Sequence, residues 1–421
     1  MRLLTSRMLA LALVAGCVSE SEPDALQLAE SAQDLSVTSV AREHVAGDVY
    51  HYSYVVRVGS APNAQLHIDR VVRERAPWIP RRSTGAVMML HGDFATFTTN
   101  FLPAGGGIAG WLAARDIDVW GTDRRWTQAE AEGDLSDFGA MGVVQELDDI
   151  GAALGFARAI RVVTDASTDR LTLIGFSRGG ALAYFYASRE ATRPIRHVKG
   201  LVPLDVYVSL APADEEFRLY ICDLAQQERD ALAAGNVDVP NSFQIETGQG
   251  VLDDPNGPSP YGLSNRDLML WLAAQTWDGF FRPSPFYHLV GPTLGDDGLP
   301  TGLRFTSETV VAQWLADSPP HQAMRESLDT DALTCGDGVL PADVPLSRIR
   351  VPLLLVAAAG GYGERAIYST TQVSSTDATT LVVRQLPVAQ EQEDFGHGDL
   401  LYSPQAPALA WQPLLAWLRG H

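Results

Sequence analysis

The sequence predicts an α/β protein with a doubly wound, mostly parallel sheet that is interrupted by an inserted cap. Short, mostly apolar runs such as Ala86 to Leu90 and Val198 to Leu204 have the composition of strands that are buried on both faces. Helical periodicity separates these runs, which is typical of parallel β-α-β units. Between residues 206 and 347 the strand pattern stops, and a long segment rich in Pro, Gly and Asp takes its place.

The individual elements follow from periodicity. Alternating runs at 49–58 and 66–74 flank Ala61-Pro62-Asn63, which predicts a β-hairpin. Further strands are predicted at 86–90, 117–120, 171–175, 198–204, 351–357 and 380–386, and helices at 108–115, 141–160, from 179 onward and at the C terminus. The resulting division is a signal peptide (1–16), an acidic tether (17–48), a first core segment (49–205), a cap (206–347) and a second core segment (348–421).

The N terminus has the layout of an export signal. Arg2 and Arg7 precede a small and apolar run, Met8 to Gly16, which is too short to span a bilayer. The run closes in Val14-Ala15-Gly16-Cys17, which resembles the lipobox of bacterial lipoproteins. The resemblance implies lipidation of Cys17 and anchoring to a membrane of the bacterial cell envelope. The alternative is an ordinary signal peptide that is cut nearby, which gives a secreted or periplasmic protein.

Charge and cysteine content exclude some classes of partner. The formal net charge is −20 and the chain has one lysine, Lys199, so we expect no nucleic-acid partner. No His, Cys or Asp cluster has metal-ligand spacing, and we expect no metal or other cofactor and a monomer. An exported protein meets an oxidising compartment, so Cys222 and Cys335 are candidates for a disulfide, the alternative being two buried free thiols.

The stretch LTLIGFSRGG, Leu171 to Gly180, carries the main candidate for chemistry. Gly175, Ser177 and Gly179 form a G-x-S-x-G motif between a buried strand and a helix. A serine on so sharp a turn is lifted clear of the sheet, and the Arg178 amide lies free at the helix N terminus, where it can bind an oxyanion. We therefore predict Ser177 as a nucleophile, the alternative being a plain strand-to-helix turn.

A second site is predicted where the strand Ala86 to Leu90 ends in His91-Gly92-Asp93-Phe94. Gly92 allows the backbone amides of the following loop to turn inward, so Asp93 or Phe94 can supply a second oxyanion donor. The alternative is that His91 only satisfies backbone groups at the strand end.

These motifs resemble those of the α/β-hydrolase superfamily, over roughly residues 49–419. The resemblance rests on His91-Gly92, on Gly175 to Gly180 and on the late segment Phe395 to Leu400, FGHGDL. IAGWLAARDIDVWGTDRRW also resembles the acid-lipase branch, although Thr122-Asp123-Arg124-Arg125 lacks the glycine of that branch's Asn-Ser-Arg-Gly loop. The resemblance implies a hydrolase with a catalytic triad in the order serine, acid, histidine.

His397 is the predicted general base, since Gly396 and Gly398 allow its imidazole to reach across to the serine; the alternative is a structural loop histidine. For the acid we favour Asp205, which directly ends a strand. The usual position, after Val351 to Ala357, runs into a glycine loop, and its first carboxylate, Glu364, comes late. A third possibility is that the acid is neither of these residues but Asp394 or a residue of the cap. If these residues have only structural roles, Asp205 caps the following turn, and Glu364 is a carboxylate in the first turn of a helix, where the helix dipole favours it.

The predicted cap contains an aromatic segment, with Trp271, Trp277, Phe280 and Phe281 among its residues. These side chains either form the cap's own core or line an apolar wall that binds an acyl chain above the serine. We expect a serine carboxylesterase or lipase that acts on a small-molecule or lipid ester. The alternatives are a serine aminopeptidase or amidase, and a catalytically silent surface lipoprotein that binds a lipid or a partner.

The predicted anchor can be tested by Cys17→Ser, which removes the thiol that would be lipidated. Because the tether is separate from the predicted hydrolase core, the variant should leave the membrane fraction and keep its esterase activity. Fractionation followed by an ester assay checks both. Equal membrane association of the variant and the wild type would contradict lipidation.

Overall fold

A ten-stranded sheet forms the centre of the computed structural model, which describes residues 35–60, 64–165, 167–274, 287–336 and 343–421. The strands of this sheet are β1 (Ser36–Ala46), β2 (Val49–Arg57), β3 (Gln65–Ala76), β4 (Ile79–Pro80), β5 (Gly85–Leu90), β6 (Ile117–Asp123), β7 (Leu171–Phe176), β8 (Val198–Leu204), β13 (Leu353–Ala358) and β14 (Ala378–Val383). Four short strands lie outside it: β9 (Asp238–Pro240), β10 (Pro292–Leu294), β11 (Pro300–Leu303) and β12 (His321–Ala323).

The strand order is β1-β2-β3-β6-β5-β7-β8-β13-β14, with β4 paired to β3. β1, β2, β3 and β6 pair antiparallel, and the pairs from β6 to β14 are all parallel. The predicted hairpin is confirmed as β2 and β3. The order reverses at β5, which lies between β6 and β7, and crevices at the carboxyl ends of the strands form at such reversals.

The helices that the structure describes are α1 (Phe97–Phe101), α2 (Gly107–Ala113), α3 (Val143–Asp165), α4 (Arg178–Glu190), α5 (Glu215–Ala233), α6 (Ser242–Asp253), α7 (Asn265–Ala274), α8 (Glu308–Ala316), α9 (Met324–Cys335), α10 (Gly363–Thr371), α11 (Asp399–Tyr402) and α12 (Gln412–Gly420). None of the described helices is long and apolar enough to cross a membrane.

Helices cover both faces of the sheet, as the apolar strands require. One apolar core joins the sheet to α3 and α4, and the other joins it to α1, α2 and α12. Leu173 and Ile174, adjacent residues of β7, lie in different cores because successive strand residues point to opposite faces. The predicted fold class, a doubly wound and mostly parallel α/β sheet, is therefore confirmed.

The N-terminal boundary of the sheet lies earlier than predicted. Residues 36–46, which we assigned to the tether, form β1 and pair with β2. β1 is an edge strand whose side chains are mostly exposed. It therefore has no need of an apolar face, and the missing alternation explains why we did not recognise it.

The predicted cap segment, 206–347, contains α5 to α9 and the four short strands. It has an apolar cluster of its own, which includes Met269, Leu270 and Val311. Cys222 on α5 and Cys335 on α9 form a disulfide, with their Cα atoms 5.1 Å apart. This bond joins two helices that also pack along their length.

Candidate active site

Ser177 lies between β7 and α4 in a strained backbone conformation, with φ 54° and ψ −129°. The glycines of the motif leave room for this turn. A side chain at Gly175 would clash with the carbonyl of Gly179, and one at Gly179 would clash with the carbonyl of Leu90. The surrounding packing therefore maintains a conformation that a non-glycine residue rarely adopts.

The N terminus of α4 begins directly after the serine, at Arg178. The first amides of a helix have no acceptor within the helix, and the helix dipole makes this end attractive to negative charge. The Arg178 amide is thus positioned to donate to an anion that forms on a substrate bound at Ser177.

The loop after β5, His91 to Phe94, lies beside the serine. A Cβ atom at Gly92 would be 3.1 Å from Cβ of Ser177. The Gly92 amide donates to Oδ1 of Asn100 (2.8 Å), and the Phe94 amide donates to Oε1 of Gln322 (3.0 Å). Within the described residues, the Asp93 amide has no such acceptor. Of the two donors predicted on this loop, Asp93 and Phe94, Asp93 is therefore the one whose N–H is available.

The two candidate oxyanion residues are linked through their side chains. Nε of Arg178 donates to Oδ1 of Asp93 over 2.7 Å. Burial alone would oppose ionisation of Asp93, but the guanidinium groups of Arg178 and Arg124 hold its pKa below the usual value. The ion pair thus ties the loop after β5 to the first turn of α4.

His91 is buried and has a structural environment. Its Nε2 accepts from the Arg124 amide (3.2 Å), and the Arg124 side chain donates to the His91 carbonyl (3.0 Å). Burial, together with the nearby Arg124 charge, lowers the pKa of His91 well below its usual value. This buried, neutral imidazole supports the loop. His91 therefore fits the alternative given for it above, that it satisfies backbone groups at the strand end.

His397 lies against Asp205, with Nδ1 of the imidazole 2.7 Å from Oδ2 of the carboxylate. A carboxylate only accepts hydrogen bonds, so Nδ1 carries the proton and Nε2 presents a lone pair. The ring also stacks on Phe176, the residue before the serine, with ring centroids 4.4 Å apart. The structure therefore brings His397 and Asp205 together beside the Ser177 turn.

Asp205 is fully buried at the end of β8 and has a positive φ of 44°. Its carboxylate accepts hydrogen bonds from the amides of Ala358 (3.0 Å), Tyr362 (3.1 Å) and Gly363 (3.3 Å). The first of these amides belongs to the last residue of the neighbouring strand β13, and the other two follow that strand. They compensate a buried charge that would otherwise be costly.

The loop that carries His397 is fixed by Asp399. One carboxylate oxygen of Asp399 accepts from the amides of Gly291 (2.8 Å) and Gly396 (2.7 Å), and the other accepts from the Thr306 hydroxyl. The His397 amide in turn donates to the carbonyl of His288 (3.0 Å). Three of these partners belong to the inserted segment, which therefore contributes to the position of the imidazole.

The other candidate acids lie in different surroundings. The side chain of Glu364 is 67 % exposed, and its nearest basic partner is Arg384 at 4.0 Å. Asp394 is buried, and its carboxylate accepts from the amides of Gln385 (2.8 Å) and Phe395 (2.7 Å). Among these three acids, Asp205 is the one that the structure places in contact with His397.

The predicted aromatic wall is only partly described. Trp271 is half-buried on α7, whereas Trp277, Phe280 and Phe281 lie outside the described residues, as does Cys17. Besides Phe176, the described aromatic rings near the imidazole include Tyr287 and Tyr362, with centroids 5.4 and 5.5 Å from the His397 ring. Tyr207 packs against Tyr362, with centroids 4.8 Å apart. Tyr207 and Tyr362 were not predicted, because no local motif marks them.

Within the described residues, no group of three or more His, Cys, Asp or Glu side chains is arranged to hold a metal ion.

Comparisons with known proteins support the fold. No protein-family model and no curated protein sequence matches the chain. Among solved structures, a candidate lipase from Sulfolobus solfataricus is similar over 91 % of this chain and 99 % of that one, with a TM-score of 0.61 and 16 % identity. A soluble variant of monoglyceride lipase from Saccharomyces cerevisiae covers 91 % and 95 %, with a TM-score of 0.43 and 12 % identity. An epoxide hydrolase mutant from Vigna radiata covers 91 % and 99 %, with a TM-score of 0.44 and 11 % identity. The chain has the α/β-hydrolase fold.

The position of Asp399 makes a prediction about stability. Burial raises the pKa of Asp399 to about 6, so the folded protein binds this proton more tightly than the unfolded chain does. Stability from this group is present at about pH 4 and is lost as the pH rises to about 6. In Asp399→Asn the amide oxygen can accept from both glycines and the NH₂ group can donate to Thr306, without a charge.

We expect Asp399→Asn to match the wild type near pH 4 and to be more stable by about 3 kcal/mol at pH 7. Urea unfolding as a function of pH measures this difference. The exposed substitution Asp296→Asn is the control and should not alter the pH dependence. A loss of stability in Asp399→Asn that is equal at all pH values would contradict the interpretation.

Proposed function

We propose that this chain, which has the α/β-hydrolase fold, is a serine hydrolase that cleaves carboxylic esters through an acyl-enzyme on Ser177. His397 is the general base, Asp205 orients it, and the amides of Arg178 and Asp93 bind the oxyanion. The observation that carries the proposal is the 2.7 Å contact between His397 Nδ1 and Asp205, in a ring that stacks on the residue before Ser177. This arrangement leaves Nε2 as the nitrogen that can act on the serine.

In the first half of the reaction, the Ser177 hydroxyl attacks the carbonyl carbon of the ester while its proton passes to Nε2 of His397. The carbonyl oxygen becomes an oxyanion, which accepts hydrogen bonds from the two amides. Removing one such donor typically costs about 10²- to 10³-fold in rate. The tetrahedral intermediate then collapses, His397 gives the proton to the leaving alcohol, and the acyl group stays on Ser177.

In the second half, water takes the place of the alcohol. His397 removes a proton from the water, which attacks the acyl carbon, and the same two amides hold the second oxyanion. When the second intermediate collapses, the proton returns to Ser177 and the carboxylic acid leaves. Asp205 keeps its charge throughout and stabilises the imidazolium that forms in each half.

The nucleophile is inferred from the site, whereas the ester substrate is inferred from the comparison with solved structures. The similarity to a candidate lipase is a reason to test esters first. Lipid esters and small soluble esters are both substrates of this reaction type, and a panel of p-nitrophenyl esters from short to long acyl chains separates them. A matched panel of amino-acid p-nitroanilides tests the amidase alternative.

We also propose that the enzyme is exported and is attached to a membrane of the bacterial cell envelope through a lipid on Cys17. The lipobox-like Val14-Ala15-Gly16-Cys17 supports this location. The residues between Cys17 and β1 would then separate the catalytic sheet from the membrane surface.

Ser177→Ala and His397→Ala test the chemistry. Each should lower kcat by roughly 10⁴-fold or more, and the double variant should lose little beyond either single variant, because the two residues act as a unit. Fluorophosphonate should label the wild type and leave Ser177→Ala unlabelled. If the folded wild type neither hydrolyses an ester nor reacts with fluorophosphonate, the protein is not a serine hydrolase. If the losses in kcat of the two single variants add up in the double variant, one of the two residues has another role.

The acid is tested by comparing Asp205→Asn with Glu364→Gln. Asp205→Asn should lower kcat by about 10³- to 10⁴-fold with the fold intact, because the imidazole loses the acceptor that fixes its tautomer. Glu364→Gln should change kcat by less than about tenfold, since its side chain is mostly exposed. Circular dichroism of both variants controls for folding. The reverse pattern of losses would assign the acid to Glu364.

A further inference from the structure

We propose that Gln322, which the inserted segment contributes, is a positioning residue that holds the Asp93 amide in the geometry needed to bind the oxyanion. The inference rests on the proposed function, since it assigns a role within that reaction. Gln322 does not touch the reacting atoms. It acts on the loop that carries the Asp93 amide.

The Gln322 side chain is buried, with 2 % of the residue exposed, and makes contacts on both sides of its amide group. Oε1 accepts from the Phe94 amide over 3.0 Å, and Nε2 donates to Oδ1 of Asp93 over 2.7 Å. Nε2 also lies 3.2 Å from Oγ of Ser327, which fixes the rotation of the amide group. One side chain therefore contacts both the side chain of Asp93 and the backbone of the next residue.

The loop needs such a contact because its own conformation is unfavourable. Phe94 has a positive φ of 47°, a region that costs a non-glycine residue free energy unless its surroundings impose it. Gly92 is held on the other side by Asn100. The Gly92 carbonyl, which shares a peptide group with the Asp93 N–H, accepts a hydrogen bond from Arg124. Without Gln322, the next peptide group, which carries the Phe94 N–H, could rotate, and Asp93 with its N–H would shift away from the position that the oxyanion requires.

The contact between Gln322 and Asp93 also reaches Arg178, whose amide is the other proposed oxyanion donor. Oδ1 of Asp93 accepts from Nε2 of Gln322 and from Nε of Arg178, each over 2.7 Å. Gln322, Asp93 and Arg178 thus form a chain of hydrogen bonds that runs from the inserted segment to the first turn of α4. Displacements of well under 1 Å matter in such sites. These linked hydrogen bonds therefore keep the two amides at a fixed position relative to each other.

The chemistry of a primary amide suits this position. Gln322 donates to a carboxylate and accepts from an N–H at the same time, which neither an ionised glutamate nor a methionine of similar length can do. A glutamate would place a second carboxylate against Asp93. A methionine would leave the Phe94 amide and the Asp93 carboxylate each with one partner fewer.

The experiment compares Gln322→Met, Gln322→Glu and the exchanged pair Asp93→Asn/Gln322→Glu with the wild type. The exchanged pair removes the repulsion between two carboxylates, because the amide at position 93 can donate to the carboxylate at position 322. Arg178 then loses the Oδ1 acceptor that it shares with Gln322 in the wild type. Gln313→Met is the matched control, since Gln313 is an exposed glutamine of the inserted segment that pairs with Asp317. The measurements are kcat and KM for the best p-nitrophenyl ester, normalised by active-site titration, and the affinity for a trifluoromethyl ketone that forms a tetrahedral adduct with the serine.

We expect each single Gln322 variant to lower kcat by about 10- to 100-fold with KM changed by less than about threefold, because the contact matters in the transition state. Affinity for the ketone should fall by a similar factor, since its adduct carries the oxyanion. The exchanged pair should recover at least about fivefold in kcat over Gln322→Glu, and Gln313→Met should behave as the wild type.

Three results would overturn the role: kcat within about twofold of the wild type in both single variants, a change confined to KM, or an unchanged ketone affinity. If Gln322→Met folds poorly, the kcat, KM and ketone affinity of Gln322→Glu decide by the same three criteria. Turnover by Ser177→Ala equal to that of the wild type would instead reject the proposed reaction, which keeps the two failures distinct.

Discussion

The buried carboxylate of Asp205 is the group on which the arrangement of this site depends. It lies at the end of β8, accepts hydrogen bonds from three amides at the end of β13 and in the turn after it, and contacts the imidazole on the loop after β14. A fully buried charge is tolerated only when its lone pairs are satisfied. The requirement to satisfy Asp205 therefore fixes three chain segments relative to one another, and the parallel sheet provides the common edge on which they meet.

The inserted segment does more than cover this edge. Gly291, Thr306 and the carbonyl of His288 hold the loop of His397, while Gln322 holds the loop of Asp93. Glu326, also from the insertion, pairs with Arg124, whose guanidinium contacts the carbonyls at His91 and Gly92. The base and one oxyanion donor are thus supported from outside the core sheet. Among the described contacts, the backbone of the serine turn and the carboxylate of Asp205 are positioned mainly by the sheet and its own connections.

The sequence allowed the fold, and the proximity of the candidate residues, to be predicted for a physical reason. Ser177 and Asp205 directly follow apolar strands, and residues at the carboxyl ends of parallel strands meet at one edge. The edge strand β1 was missed because its exposed residues need no apolar face. Gln322 was missed because its contacts join residues 228 and 229 positions apart, and no local pattern marks such a pair. The donor at Asp93 was separable from Phe94 only once the partner of each amide was known.

The glycine-rich turn after β13 explains why a carboxylate on β8 can take this position. A side chain at Gly361 would clash with the carboxylate of Asp205, so the turn leaves the space that the acid occupies. The amides of Tyr362 and Gly363, in the same turn, then donate to that carboxylate. In the more usual arrangement of this fold the acid follows this strand, and here the strand supplies room and donors for Asp205, the acid that we propose. Placing the carboxylate on β8 needs two features together: an acidic residue at the end of one strand, and a glycine-rich turn with free amides after the neighbouring strand. A change at either position alone would therefore leave either a buried charge without donors or a set of donors without an acceptor.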